Sequence, residues 1–490
     1  MDQAKLDKAI ELHGKHDFQS AKKLYQELLL TSENNFFPLF LLGTLELDLG
    51  NVGEAIKFLE MSLKKNPNYI DTYLNLAAIY FHKSNYDKSR EYLEQGKKYI
   101  DSSNYEDHKK LCFRLANTYK ITGELDKAKS IYEEMYSFDQ YNLVIVFFLH
   151  ELNAIILDSK LKKKIKLIMK NKKSNHNDHI FGNLLLSKYA NRSENYKDEY
   201  NFLVNAHNKL FEAKESYFKK RNDLFLRTLT NIDQFYDHSL KITIDNQLRE
   251  TIRPIFIISL PRSGSTLLEK LIVFNQKDLR PGEETDAHAY IGDTILQDPS
   301  KLENFDSIAK KIIMEYRFKN LISDSKNINF TDKSVSSHYY LGWIKKIFPK
   351  AIFINCARDP KAIITSILRN PLSEAPWAHN LDNILKFIDV HHKLIDFWKS
   401  NYQIEIYDLN YENLIKNFEE ESKKLLNYCG LNYSSDIKKF NTSSDYVSKT
   451  ASSIQVRKPV YKKVDTSYKL LATQFESRLK KYTWSNYTYI

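Results

Sequence analysis

Residues 256–272 read FIISLPRSGSTLLEKLI. An apolar run, IFIISL at 255–260, stops at Pro261, turns through Arg262, Ser263, Gly264, Ser265 and Thr266, and resumes with leucines at helical spacing. A strand, a tight polar loop and a helix start, in that order, make the layout of a phosphate-binding loop, where backbone N–H groups and the positive end of a helix meet an anion. The triphosphate version of that loop, G-x-x-x-x-G-K-[ST], carries a lysine after its second glycine. Ser265 stands there instead. The expectation is an anion held by the N–H groups of Ser263 through Thr266, by the hydroxyls of Ser263, Ser265 and Thr266, and by the forked cation of Arg262. No strand offers a second aspartate of the kind that holds magnesium, so no metal is expected. A plain strand-to-helix turn fits the same stretch taken alone.

A second apolar run, AIFINCA at 351–357, and a third, IEIYDL at 404–409, alternate with helical stretches. Nearly continuous apolar runs fit parallel strands covered on both faces. They predict an α/β domain that binds ligands at the carboxyl ends of its strands. The second strand end continues as NCARDPKAIITSILRNP, with Asp359 placed as a helix N-cap and Pro360 at the first helical position. Arg358 at the strand tip and Ser366 two turns into the helix could hold a second phosphate, although an arginine before an N-cap is commonly structural.

The front half repeats itself. Ala21, Ala55 and Ser89 are spaced 34 residues apart in similar phrases, and Ala128 repeats the phrase after 39. Twelve residues before three of these lies another small residue: Gly43, Ala77 and Ala116. Small residues are needed where the paired helices of a repeat cross closely, and the surrounding leucines and tyrosines fill the space between repeats. The period resembles the tetratricopeptide repeat. Four units span about residues 4–142, a looser one is expected near 181–210, and a long helix is expected over 217–240. Such solenoids present a surface to peptides or proteins. Scaffolding of the catalytic half, or a homodimer, fits the repeats equally well.

With 490 residues the chain should hold two or three domains. The expected division is 1–175 repeat solenoid, 176–250 degenerate repeat and linking helices, and 251–490 catalytic domain. Net charge is +11, but the lysines are scattered and form no nucleic-acid tail. Cys112, Cys356 and Cys429 have neither disulfide nor metal-ligand spacing. The first residues read as an amphipathic helix rather than a leader, and no run approaches the length of a membrane span. The expectations are a cytoplasmic protein, no nucleic acid and no membrane.

The two phosphate motifs together resemble the sulfotransferases that use 3′-phosphoadenosine-5′-phosphosulfate. In that family PRSGST corresponds to the 5′-phosphosulfate loop, and ARDPKAIITSI, through Arg358 and Ser366, to the 3′-phosphate site. The whole layout is similar to the tetratricopeptide-repeat sulfotransferases of bacteria, and the catalytic half, about 250–470, to tyrosylprotein sulfotransferases. The resemblance implies a P-loop-like three-layer α/β domain with a parallel sheet behind an α-helical solenoid. It places Glu284 of RPGEET (280–285) as general base, with Glu283 the fallback, and Lys333 at a strand end facing the leaving oxygen. Val335 and Ser337 depart from the proline and asparagine that the family usually has after that lysine. Tyr411 of YENL is implied near the nucleotide. So is TASSIQVRKPVY (450–461), where Ser452 would meet the phosphosulfate and Lys458 the nucleotide phosphates.

The resemblance therefore implies in-line transfer of a sulfuryl group to a hydroxyl acceptor, with 3′-phosphoadenosine-5′-phosphate as the product nucleotide. Arg262, Lys333 and Ser452 would stabilise the transferred charge. The acceptor could be a protein tyrosine, a carbohydrate or a small molecule. Two other classes stand against this reading: a metal-dependent kinase or triphosphatase, and a repeat scaffold with a relic nucleotide domain.

Overall fold

The structure, a computed structural model, describes residues 2–31, 35–100, 104–219, 246–292, 305–322, 328–442 and 467–486. The chain divides into two compact units, Met1–Gln140 and Tyr141–Ile490.

In the first unit eight helices follow one another: α1 (Gln3–Gly14), α2 (Phe18–Thr31), α3 (Phe36–Asp48), α4 (Val52–Lys65), α5 (Ile70–His82), α6 (Tyr86–Tyr99), α7 (Tyr105–Thr122) and α8 (Leu125–Phe138). Consecutive helices pack as pairs, and each pair packs on the next. The small residues lie where the spacing puts them. Ala21, Ala55, Ala116 and Ala128 have no exposed surface, and Ser89 is buried with its hydroxyl donating to the Ala77 carbonyl at 2.8 Å. That bond satisfies a polar group at a helix crossing with no room for a larger side chain. Asparagines start several helices: the side chains of Asn85 and Asn104 accept from the N–H groups of Lys88 and Asp107.

The second unit opens with α9 (Leu143–Glu151), α10 (Ser159–Lys170), α11 (His176–Arg192) and α12 (Tyr196–Ala213). The hairpin α11–α12 covers the looser repeat expected at 181–210. Ile180, Leu184, Leu203 and Ala206 of this hairpin share one apolar core with the sheet that follows. Glu199 pairs with Arg369 at 2.7 Å, and His207 Nε2 meets the Leu368 carbonyl at 3.0 Å. The break between compact units thus falls ahead of residue 175, because these helices bury their apolar faces on the α/β layer. The long helix expected over 217–240 lies outside the described residues beyond Lys219.

Five parallel strands form the sheet: β1 (Ile252–Ile257), β2 (Leu279–Arg280), β3 (Ile328–Asp332), β4 (Ile352–Ala357) and β5 (Tyr407–Asn410), in the order β2-β3-β1-β4-β5. Successive residues of β1 face opposite sides. Phe256 joins the core shared with α11 and α12, while Ile255 and Ile257 pack with Leu268, Leu271 and Leu425 on the other side. Both faces are covered, which is why the runs read as apolar without alternation. Against the expected strand 255–260, β1 starts earlier and ends at Ile257, leaving the last residues of the run to enter the loop. Against the expected 404–409, β5 is displaced to Tyr407–Asn410. β2 and β3 are too short and too polar to stand out as apolar runs. No helix among the described residues is long and apolar enough to cross a membrane.

Candidate active site

Because all five strands run parallel, their carboxyl ends lie along one edge. β1 is flanked by β3 on one side and β4 on the other, so the chain leaves the centre of the sheet in two directions and opens a crevice there. Each site residue predicted from the sequence and lying in the described region follows one of these strand ends or sits on the helix after it.

The loop after β1 turns tightly. Arg262 has φ 68° and Gly264 has φ 108°, and Gly264 caps the helix Ser265–Val273. The left-handed backbone at Gly264 suits glycine, and a Cβ there would fall 2.5 Å from the Tyr411 ring. Arg262 adopts the left-handed region without that freedom, the kind of local strain that gathers at functional sites. The N–H of Ser263, expected to face an anion, donates instead to the Leu260 carbonyl at 3.2 Å and closes the turn. The buried Ser263 Oγ has no hydrogen-bond partner among the described residues.

The loop after β4 meets this one. Arg358 Nη1 donates to the Arg262 carbonyl at 2.8 Å, the guanidinium lies 4.6 Å from the Tyr411 ring centre, and its buried Nε has no hydrogen-bond partner among the described residues. Asp359 accepts from Lys361 N at 2.8 Å and Pro360 begins the helix Pro360–Arg369, as the capping pattern predicts. Arg262 Nε donates to Ser366 Oγ at 2.9 Å. Arg262, expected at the transferred group, therefore reaches the helix that carries Ser366, while Arg358 bonds its carbonyl and stacks on Tyr411. Burial first, and the neighbouring Arg358 charge second, pull the Arg262 pKa down to about 10. Two arginines joined through one loop, beside a buried hydroxyl and N–H that lack partners among the described residues, suit a phosphate.

Across the crevice, the loops after β2 and β3 are stitched together. Gly282 N donates to Thr331 Oγ1 at 3.1 Å, and Lys333 N donates to the Glu283 carbonyl at 2.8 Å. Gly282 leaves no room for a side chain, since a Cβ would fall 1.9 Å from the Thr331 carbonyl oxygen. Asp332 accepts from Tyr316 Oη at 2.6 Å, from Ser334 N at 2.8 Å and from Thr285 Oγ1. Lys333 follows β3 directly and is buried, with Nζ 3.3 Å from Glu269 Oε2. Burial pulls its ammonium down, but Glu269, Glu284 and Glu283 outweigh that and leave its pKa raised.

Glu284 is open to solvent at its own surface, yet desolvation by the protein around it is the largest influence on its carboxyl. Desolvation pushes its pKa up, Lys333 pulls it down, and Asp286, Glu269 and Asp332 add to the rise. A carboxylate with a raised pKa beside a charged lysine can take a proton from an incoming hydroxyl.

Ser452 and Lys458 lie outside the described residues. Sequence reading missed Glu269, whose carboxylate has no exposed surface and ties its helix to β3 and to the loop after β2. Its signal was present: an acid followed by Lys270 within the otherwise apolar helical phrase TLLEKLI, both fully enclosed. For metals, the described residues bring together one set of ligand types, His108, Cys112 and Glu134, within 4.8 Å of one another in the repeat unit. There Glu134 already bonds Lys97 and lies 3.0 Å from His108 Nε2.

Comparison with known proteins places these loops in context. Residues 254–435 match the model of the sulfotransferase family, and residues 58–91 and 110–142 match tetratricopeptide-repeat models. An uncharacterized protein of Aquifex aeolicus (strain VF5) is 24% identical over 294 residues, covering 57% of this chain and 38% of that protein. The chain thus spans well under half the length of that curated relative. Among solved structures, the sulfotransferase domain of the Synechococcus PCC 7002 olefin synthase is 15% identical, covering 48% of this chain and 98% of its own, with TM-score 0.29. The sulfotransferase STF1 of Mycobacterium tuberculosis H37Rv is 12% identical, covering 66% and 99%, also with TM-score 0.29.

Proposed function

We propose that this chain, which carries a sulfotransferase-family domain at residues 254–435 behind tetratricopeptide repeats, moves a sulfuryl group from 3′-phosphoadenosine-5′-phosphosulfate to a hydroxyl acceptor. The observation that carries the reading is the division of the crevice into two charged halves. Arg262, Arg358 and Ser366 form one, and Lys333 beside Glu284 forms the other. Ser263 Oγ and Arg358 Nε, without partners among the described residues, are donors that a bisphosphate nucleotide would satisfy.

In this reading the nucleotide supplies the sulfuryl group, and Arg262, Arg358 and Ser366 read its 3′-phosphate, with Tyr411 backing the loop. Ser263, Ser265 and Thr266 hold the 5′ end. Glu284 takes the acceptor proton as the acceptor oxygen forms its bond to sulfur. The bond from sulfur to the nucleotide phosphate oxygen breaks, its electron pair stays on that oxygen, and Lys333 neutralises the charge. The raised Glu284 pKa makes it a stronger base than an ordinary carboxylate, and the reaction requires it ionised. Turnover should therefore fall as pH drops through a value above the usual glutamate range.

A protein tyrosine is the acceptor we favour, because RPGEET is similar to the tyrosylprotein enzymes and the repeats offer a surface for a peptide. The test is turnover by Glu284→Ala with labelled donor, a tyrosine peptide and 4-nitrophenol as acceptors. The variant should keep nucleotide binding and lose turnover; undiminished turnover would remove Glu284 from the mechanism.

A further inference from the structure

Glu269 sits on the helix Ser265–Val273, and its side chain is wholly enclosed. Oε1 accepts from Thr331 Oγ1 at 2.6 Å and from Glu283 N at 3.0 Å, while Oε2 lies 3.3 Å from Lys333 Nζ. The same Thr331 Oγ1 accepts from Gly282 N, and Lys333 N is bonded to the Glu283 carbonyl. One carboxylate therefore links the elements that follow β1, β2 and β3. It holds Glu283 at φ 56°, the residue immediately before Glu284.

The charge arrangement gives this link a consequence. Lys333 stands among three carboxylates, Glu269, Glu284 and Glu283. Glu269 lies wholly out of solvent and on a helix, whereas Glu284 is exposed. Without the Glu269 charge the ammonium would turn toward Glu284, and a carboxylate paired tightly to a lysine is a weaker base. We propose that Glu269 is the positioning residue of the site: it holds Lys333 on one oxygen and the Gly282–Glu283 turn on the other, keeping Lys333 from closing a salt bridge on Glu284. This rests on the sulfuryl-transfer reading and on Glu284 as its base.

The groups acting on Glu284 are Lys333 and Asp332 from the end of β3, Asp286 from its own loop and Glu269 from the helix after β1. Glu269→Gln keeps the side-chain shape and removes a charge that raises the Glu284 pKa. Turnover should fall about 10²-fold through misplacement of the catalytic pair, with the KM for nucleotide little changed. The acid limb of the pH–rate profile should also move to lower pH. A merely structural role would lower the amount of active protein without moving that limb.

A lone buried lysine can prevent folding, so the decisive comparison uses Lys333→Met with and without Glu269→Gln, a pair that removes both charges together. If Glu269 acts through Lys333, adding Glu269→Gln to Lys333→Met costs no further turnover. The full protein is assayed with labelled donor and the two acceptors above, and a bisphosphate-induced melt shift confirms each variant is folded. A further loss of about 10²-fold on the Lys333→Met background, or an unmoved acid limb with undiminished turnover in Glu269→Gln, would overturn the proposal. Absence of transfer by the wild-type chain would instead overturn the sulfuryl-transfer reading, and this inference with it.

Discussion

In the repeat unit the residues that decide structure are small and return at a fixed step. Ala21, Ala55, Ser89 and Ala128 lie at helix crossings, and Glu134 answers Lys97 and His108 on neighbouring helices. In the sheet unit the decisive residues never recur. They come from five separate strand ends, and they leave Arg262 beside Arg358, with Ser263 Oγ and Arg358 Nε lacking hydrogen-bond partners among the described residues. In the repeats, packing sets the small positions. The sheet edge shows polar groups that folding alone does not explain, which is where ligand chemistry belongs.

The contrast can be broken by substitutions on either side. The largest expected effect is at the base. Glu284→Ala should reduce turnover about 10²–10⁴-fold, the usual contribution of general base catalysis, while calorimetry shows nucleotide binding intact. Next, Arg358→Ala should weaken binding of 3′-phosphoadenosine-5′-phosphate by about 1.5–3 kcal/mol, the worth of a charged hydrogen bond. Its effect on AMP should be smaller, since AMP lacks the 3′-phosphate.

On the other side of the comparison, Ala116→Leu forces extra methyl groups into a helix crossing with no exposed surface. It should destabilise the repeat unit by about 1–3 kcal/mol in thermal unfolding, with transfer to 4-nitrophenol unchanged. A fall in transfer to a small phenol would mean the repeats shape the site itself. The smallest effect is Ser89→Ala, which removes the hydroxyl bonded to the Ala77 carbonyl and should cost about 1 kcal/mol in the same melt.

The same contrast explains what could be read in advance. A repeat announces itself by periodicity, and the loop 262–266 by a strand, a turn and a helix within a dozen residues. Asp359 and Pro360 marked a helix start by local rules, and the structure shows the cap. β2 has two residues and β3 reads INFTD, so neither shows an apolar run, and their pairing depends on neighbours distant in sequence. Glu269 stood out only as an acid in an apolar helical phrase, and its role was hidden because its partners, Thr331 on β3, Lys333 after β3 and Glu283 after β2, are distant in sequence. Val335 and Ser337, the departures after Lys333, sit in a short turn where Ser337 donates to the Ser334 carbonyl at 2.8 Å. Lys333 keeps its place at the strand end.

The most direct test of the two-halved crevice is a thermal melt of the whole chain with 3′-phosphoadenosine-5′-phosphate, compared with AMP and with Mg-ATP. At 100 times its dissociation constant a ligand stabilises by about 2.7 kcal/mol, enough to move the transition of the unit that binds it. Stabilisation by the 3′,5′-bisphosphate and not by AMP is the predicted result, with Arg262, Arg358 and Ser366 reading the 3′-phosphate. Stabilisation by Mg-ATP in place of the bisphosphate would contradict the account and make the loop after β1 a triphosphate site.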